Sequence, residues 1–227
     1  METAIIISDV HLGSRHCRCE RLLGFLDSLP DEATLVLNGD TMNRIHHPLE
    51  DCHQKALQRF AGESRRRRVV WIRGNHDDGY TPADRGEIEF RSGCEPAEGI
   101  YVSHGHDFDN IMPRNRWFIL LFRFVHRVRL RLGAEPVHVA FYAKRFRFLY
   151  DVLRRHVMAN AVEHARERGY RTVVCGHTHF PEDVTVDGVR YLNTGSWTEE
   201  PMYCVRVDEA GVARLEIRGG SVQAPSP

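Results

Sequence analysis

The chain has no net charge: its 31 Lys and Arg balance 31 Asp and Glu. A molecule neutral as a whole is a poor candidate for indiscriminate binding to nucleic acid. It also lacks any apolar run near the roughly 18 residues needed to span a bilayer, so no transmembrane helix is expected. The six cysteines (Cys17, Cys19, Cys52, Cys94, Cys175, Cys204) follow no framework spacing, and no signal peptide precedes the first strand at Ala4. Reduced thiols in a cytoplasmic protein are therefore expected, with a Cys17-Arg-Cys19 metal pair as the minor alternative. Internal repeats and low-complexity stretches are absent too. With 227 residues at 42% hydrophobic content, the expected organisation is a single domain over 1–218 and a tail over 219–227.

Neutrality conceals an asymmetry. Residues 111–160 hold eleven Lys and Arg against Glu135 and Asp151, a local charge of +9, so the remainder carries −9. A basic segment is set on an acidic body.

Apolar periodicity predicts strands over Ala4–Ser8, Thr34–Leu37 and Val69–Ile72, with helices over Arg18–Leu29 and Leu49–Phe60 between them. This β-α-β-α-β order implies a largely parallel sheet with three polar motifs on one rim. Those motifs are Asp9-Val10-His11, Gly39-Asp40 and Gly74-Asn75-His76-Asp77. After a short irregular region, Ile100–Ser103 leads into His104-Gly105-His106, and Arg171–Cys175 into Gly176-His177-Thr178-His179. Asp187-Gly188 signals a type I′ hairpin, and Met202–Val207 pairs with Val212–Ile217, so the sheets are mixed.

One His at a strand end is usually a satisfied structural residue. Asp, His or Asn after five separate strands is a constellation, and its nitrogen and oxygen donors suit Mn, Fe or Zn better than Ca. The donors outnumber one tetrahedral zinc, which makes two metals sharing a carboxylate the economical reading.

In that order the motifs resemble the calcineurin-like metallophosphoesterase superfamily, whose pattern is D-x-H, G-D, G-N-H, H and G-H-x-H. The agreement runs from Ile5 to about Ser196. The resemblance implies an α/β fold, a four-layer α/β/β/α sandwich of two mixed sheets. It assigns Asp9, His11 and His179 to a first metal, Asn75, His104 and His177 to a second, and Asp40 to both. It further implies two divalent ions (Mn foremost, then Fe, Zn or Mg), a hydroxide nucleophile, and His76 as the group that protonates the leaving oxygen of a phosphodiester or pyrophosphate.

The chain departs from the family pattern at Asn43, where many members carry a carboxylate that pairs with the catalytic His. Asp77 either compensates or is a turn residue bonded to its own backbone. The whole chain looks most like the UDP-2,3-diacylglucosamine pyrophosphatase branch, through Asp9-Val10-His11-Leu12-Gly13-Ser14-Arg15, through a helical insertion after His104, and through Asn193-Thr194-Gly195-Ser196-Trp197. Members of that branch typically have Arg where this chain has His76. Arg15, Asn43, Asp77 and His106 are candidates for substrate contact or for support of the ligands.

The basic segment 111–160 is expected to be a helical insertion. Trp117 and Phe118 begin an apolar run, and Arg123, Arg127 and Arg131 form an i, i+4 stripe. Three readings stand: a structural helical pair, a lid or amphipathic surface for a lipid-linked phosphate at the inner membrane face, and a nucleic-acid groove. For the whole chain, a nuclease or cyclic-nucleotide phosphodiesterase and a non-catalytic metal-binding scaffold are the alternatives. The oligomeric state is not legible.

Overall fold

The computed structural model describes residues 4–43, 48–111, 124–125, 127–129, 131, 133 and 147–218. Trp117, Phe118, most of the segment 111–160 and the tail lie outside the described residues.

Strict alternation along the first strands explains the layering. In β1 (Ala4–Ile7), β2 (Thr34–Asn38) and β3 (Val69–Ile72) every residue is buried. Ile5, Ile7, Leu35, Leu37, Val69 and Trp71 point to one face, and Ile6, Val36, Val70 and Ile72 to the other. The first face is covered by α1 (Cys19–Asp27) and α2 (Asp51–Ser64), which supply Leu22, Leu26, Ala56 and Phe60. Each large side chain buried this way contributes about 1.5–3 kcal/mol. The second face meets a second sheet.

That second sheet contains β5 (Gly93–Ala97), β6 (Ile100–Ser103), β7 (Thr172–Cys175), β8 (Glu182–Val186) and β9 (Val189–Asn193), in the order β5-β6-β7-β9-β8. Its Ile100, Val102, Val174 and Leu192 close the inter-sheet core. Its outer face is covered by α3 (Arg147–Glu167), through Val157, Ala161, Val162 and Ala165. The first sheet is completed by β4 (Glu89–Arg91), β10 (Met202–Val207) and β11 (Ala213–Arg218), in the order β11-β10-β1-β2-β3-β4. Both sheets mix parallel and antiparallel pairs, and the architecture is the expected α/β/β/α sandwich.

Three expectations are corrected. The stretch read as irregular before Ile100 forms β4 and β5, two short, partly exposed strands. They carry too little apolar alternation to stand out, and β5 contains Pro96. Cys19 and Cys52 form a disulfide between α1 and α2, against the expectation of reduced thiols throughout. Their separation of 33 residues matches no motif, because the pair is brought together by helix packing. Finally, residue 160 falls inside α3, which runs on to Glu167 as part of the core. Among the described residues no helix is long and apolar enough to cross a membrane.

Candidate metal centre

β1, β2 and β3 are parallel neighbours, so the loops that follow them leave from one rim. The first two loops continue the ladder: Asp9 N–H donates to Gly39 O (3.1 Å), His11 N–H to Asp40 O (2.9 Å) and Leu12 N–H to Thr41 O (2.8 Å). β6 and β7 deliver His104 and His177 from the second sheet, again in parallel. The sheets are joined at Asp9, whose Oδ2 accepts the His177 N–H at 3.0 Å and whose carbonyl accepts the Trp197 N–H at 3.1 Å.

The backbone here is strained in a consistent way. Among the described residues six non-glycine residues have positive φ, and five of them are Asp9, His11, Asp40, His177 and His179. Each such residue costs on the order of 1–3 kcal/mol, and clusters of this kind mark functional sites. Gly74 serves close approach: a Cβ there would run into the Asp40 carboxylate.

The side chains converge on two points. His11 Nε2 and His179 Nε2 are 3.2 Å apart, and His179 Nε2 is 3.2 Å from Asp9 Oδ1. Asp40 Oδ2 lies 3.5 Å from His104 Nε2, 3.8 Å from His76 Nε2 and 4.0 Å from His11 Nε2. Three compact groups result: Asp9, His11 and His179; Asp9, Asp40 and His104; and His11, Asp40 and His76.

A metal fits these residues. With metal–ligand bonds of about 2.0–2.2 Å, neighbouring donor atoms sit about 2.8–3.6 Å apart, a range that includes the shortest spacings here. Asp9 Oδ1 and His104 Nε2 are buried without a hydrogen-bond partner. His104 Nδ1 donates to the Asn38 carbonyl at 2.9 Å, which turns Nε2 toward Asp40. Electrostatics agree. Burial alone would lower the His104 pKa, but Asp40 and Asp9 push it up to about 10. Burial and the neighbouring His179 hold His11 down to about 3. Without metal, the carboxylates thus draw a proton onto His104 in place of a cation.

The Asp9 carboxylate is fixed by Ser8, which no motif brought forward, and through it by Thr194. Ser8 Oγ donates to Asp9 Oδ2 at 2.5 Å and is itself 2.5 Å from Thr194 Oγ1. Asp77 resolves the choice left open above. Its Oδ1 accepts Gly74 N–H (2.7 Å), and its Oδ2 accepts Thr41 N–H (2.8 Å), Met42 N–H (3.3 Å) and Trp71 Nε1–H (3.1 Å). These bonds staple the Asp40 and Asn75 loops together, so Asp77 does not substitute for a carboxylate beside His76. What faces the His76 ring instead is backbone: its Nδ1 lies 3.1 Å from the Asn43 carbonyl.

The remaining candidates are less tightly gathered. Asn75 is exposed. His177 Nε2 faces Asp109 Oδ2 at 2.9 Å, and its ring centroid is 5.4 Å from that of His104. The His106 ring is 5.4 Å from His104 and 6.5 Å from His177. Arg15 is exposed, with Nε 3.3 Å from His16 Nε2.

A model of the family described as calcineurin-like phosphoesterase matches residues 3–181. No curated protein matches the chain. Among solved structures it is similar to Yfce, a phosphoesterase from E. coli, at 16% identity and a TM-score of 0.46, over 96% of this chain and 100% of that one. It is similar to a Vps29 single mutant from Entamoeba histolytica at 14% and 0.47, over 95% and 97%. The nuclease MPE of Pseudomonas putida stands at 18% and 0.47, over 95% and 83%. Likenesses of this degree carry no argument about substrate.

Proposed function

The chain belongs to the calcineurin-like phosphoesterase family and is a metal-dependent phosphoesterase; we propose that it hydrolyses a phosphodiester or pyrophosphate bond at a pair of divalent metals, Mn foremost. The supporting observation is Asp40 Oδ2, one buried carboxylate oxygen within 4.0 Å of imidazole nitrogens from three different loops. Asp9, His11 and His179 would hold the first ion, His104, His177 and Asn75 the second, and Asp40 both. Bound there, the ions would bring the pKa of a water toward about 7 and neutralise charge on phosphoryl oxygens.

The chain's own groups divide the remaining work. His76 is the partly exposed imidazole of the set, with 35% of its side chain accessible, so it can meet both the site and a leaving group. Its Nδ1 proton is anchored on the Asn43 carbonyl, which aims Nε2 inward beside Asp40. In its protonated form it delivers a proton to the departing oxygen. Asp77 and Ser8 keep the carboxylate loops from shifting as charge moves.

For substrate, a lipid- or sugar-linked nucleotide such as UDP-2,3-diacylglucosamine is the reading favoured by the described part of 111–160. Phe124 is 61% exposed and Phe148 78%, and Arg127 and Arg131 of the same segment are exposed too. A segment that exposes both aromatic rings and cations suits an acyl phosphate presented at a membrane face.

Metal analysis with a substrate panel tests the whole. The panel comprises UDP-diacylglucosamine, CDP-diacylglycerol, cyclic nucleotides, bis(p-nitrophenyl) phosphate and single-stranded DNA. Turnover of the acylated diphosphates with two bound ions is expected. Preference for DNA with a steep salt dependence would replace this substrate by nucleic acid, and metal binding without turnover of any phosphate ester would sink the enzyme.

A further inference from the structure

Asp109 is placed at the centre without having belonged to any motif. It follows the short 3-10 turn His106–Phe108, and its side chain is buried. Oδ1 accepts the Ile111 N–H at 2.9 Å, and Oδ2 lies 2.9 Å from His177 Nε2. The turn is held from two sides, by Asp109 N–H to His106 O (3.1 Å) and by Asn160 Nδ2 of α3 to Phe108 O (2.8 Å). His177 is held as firmly, through its own N–H on Asp9 and its ring edge-on to His104 at 73°.

We propose that Asp109 is the positioning residue of the second metal subsite: it takes the Nε2 proton of His177 and leaves Nδ1 as the nitrogen with a lone pair for the metal shared with Asp40 and His104. The inference rests on the two-metal reading above. An ionised carboxylate only accepts, so at 2.9 Å the shared hydrogen belongs to Nε2. A neutral imidazole carries one proton, and fixing it on Nε2 empties Nδ1. A carboxylate behind a metal-binding histidine also fixes the ring's rotation and raises its basicity. His106 lacks such a clamp: its Nδ1 is buried without a hydrogen-bond partner, and its Nε2 is 3.4 Å from Asp107, whose side chain is 73% exposed.

The experiment titrates Mn²⁺ into metal-free wild type, Asp109→Asn and Asp109→Ala by calorimetry, with elemental analysis for stoichiometry. In Asp109→Asn the amide oxygen can keep the Ile111 bond while the NH₂ turns to His177, which drives the imidazole proton to Nδ1. The first ion should bind as in wild type and the second about 10–100-fold more weakly in both variants, the usual cost of losing such a partner. Nitrogen-15 spectra of the metal-free protein should show His177 protonated at Nε2 in wild type and at Nδ1 in Asp109→Asn. A wild-type His177 protonated at Nδ1 would overturn the proposal, and so would second-ion affinity within about twofold of wild type in the variants. The wild-type spectrum decides even if both variants unfold. A wild type that binds one ion at saturation overturns the two-metal reading itself, a result separate from retained affinity in the variants.

Discussion

Asp9, His11 and His179 lie fully or almost fully buried, within 3.9 Å of one another. On the other side of Asp40, Asn75 is exposed, the His177 side chain keeps 16% of its surface and His76 keeps 35%. One half of the rim is closed, held by ladder bonds and by Ser8. The other is open to whatever approaches. Burying carboxylates and imidazoles with positive φ is costly, and it persists only where the surrounding bonds outweigh it. Fixed geometry is thus concentrated around Asp9, while Asn75, His177 and His76 pay less desolvation and stay accessible, with His104 the buried member of their group.

Asp40 belongs to both halves, and removing it is the most severe way to break the contrast. In Asp40→Ala both ions should be lost and turnover should fall to background, because its Oδ2 is the common neighbour of His11, His76 and His104. Elemental analysis alongside hydrolysis of bis(p-nitrophenyl) phosphate reads both. Retention of two ions with full turnover would dissolve the bridge assignment.

His76→Ala probes the open half alone. It should keep both ions and lose about 10²–10⁴-fold in turnover, the scale of general acid–base help. The deficit should shrink for p-nitrophenolate, which leaves without a proton. Loss of an ion in this variant would instead make His76 a ligand, as its proximity to His11 and Asp40 permits.

What the sequence could reveal follows the same division. Strand-end motifs were legible because continuous apolar runs such as Val69–Ile72 end abruptly in polar residues, and parallel order places those ends together. The roles of Ser8 and Asp109 were not, because each depends on a partner far away in sequence, and a lone Ser or Asp carries no spacing signal. The Ser8–Thr194 contact spans 186 positions and Asp109–His177 spans 68. The Cys19–Cys52 bridge was hidden for the same reason. Asp77 was read by type, but only its four donors reveal that it ties the Asp40 loop to the Gly74 turn.

Asp77→Ala should therefore act on stability more than on chemistry. It strands the N–H groups of Thr41, Met42 and Gly74 and the indole of Trp71, all buried around it. Unsatisfied buried donors cost about 1–3 kcal/mol each, with partial relief from water, so a loss of roughly 3–5 kcal/mol is expected. Denaturant unfolding of the metal-free protein measures it. A change below about 1 kcal/mol would show that the loops do not depend on this staple.

The smallest effect is expected at Asn43, where the family resemblance would lead to a large one. If the side chain at this position oriented His76, replacing it would imitate the loss of a catalytic partner. The hydrogen bond instead runs from His76 Nδ1 to the Asn43 backbone carbonyl at 3.1 Å, and the main chain there is fixed by Asn43 N–H on Leu12 O at 2.9 Å. Asn43→Ala keeps both bonds, so turnover should change by less than about threefold, far below the general acid–base scale. Asn43→Asp adds a charge near His76 but no new anchor, and should shift the pH profile of turnover more than its maximum. Both variants, assayed on good and poor leaving groups across pH, test the point. A fall of about 10²-fold in Asn43→Ala, matching His76→Ala, would return the orienting role to the side chain.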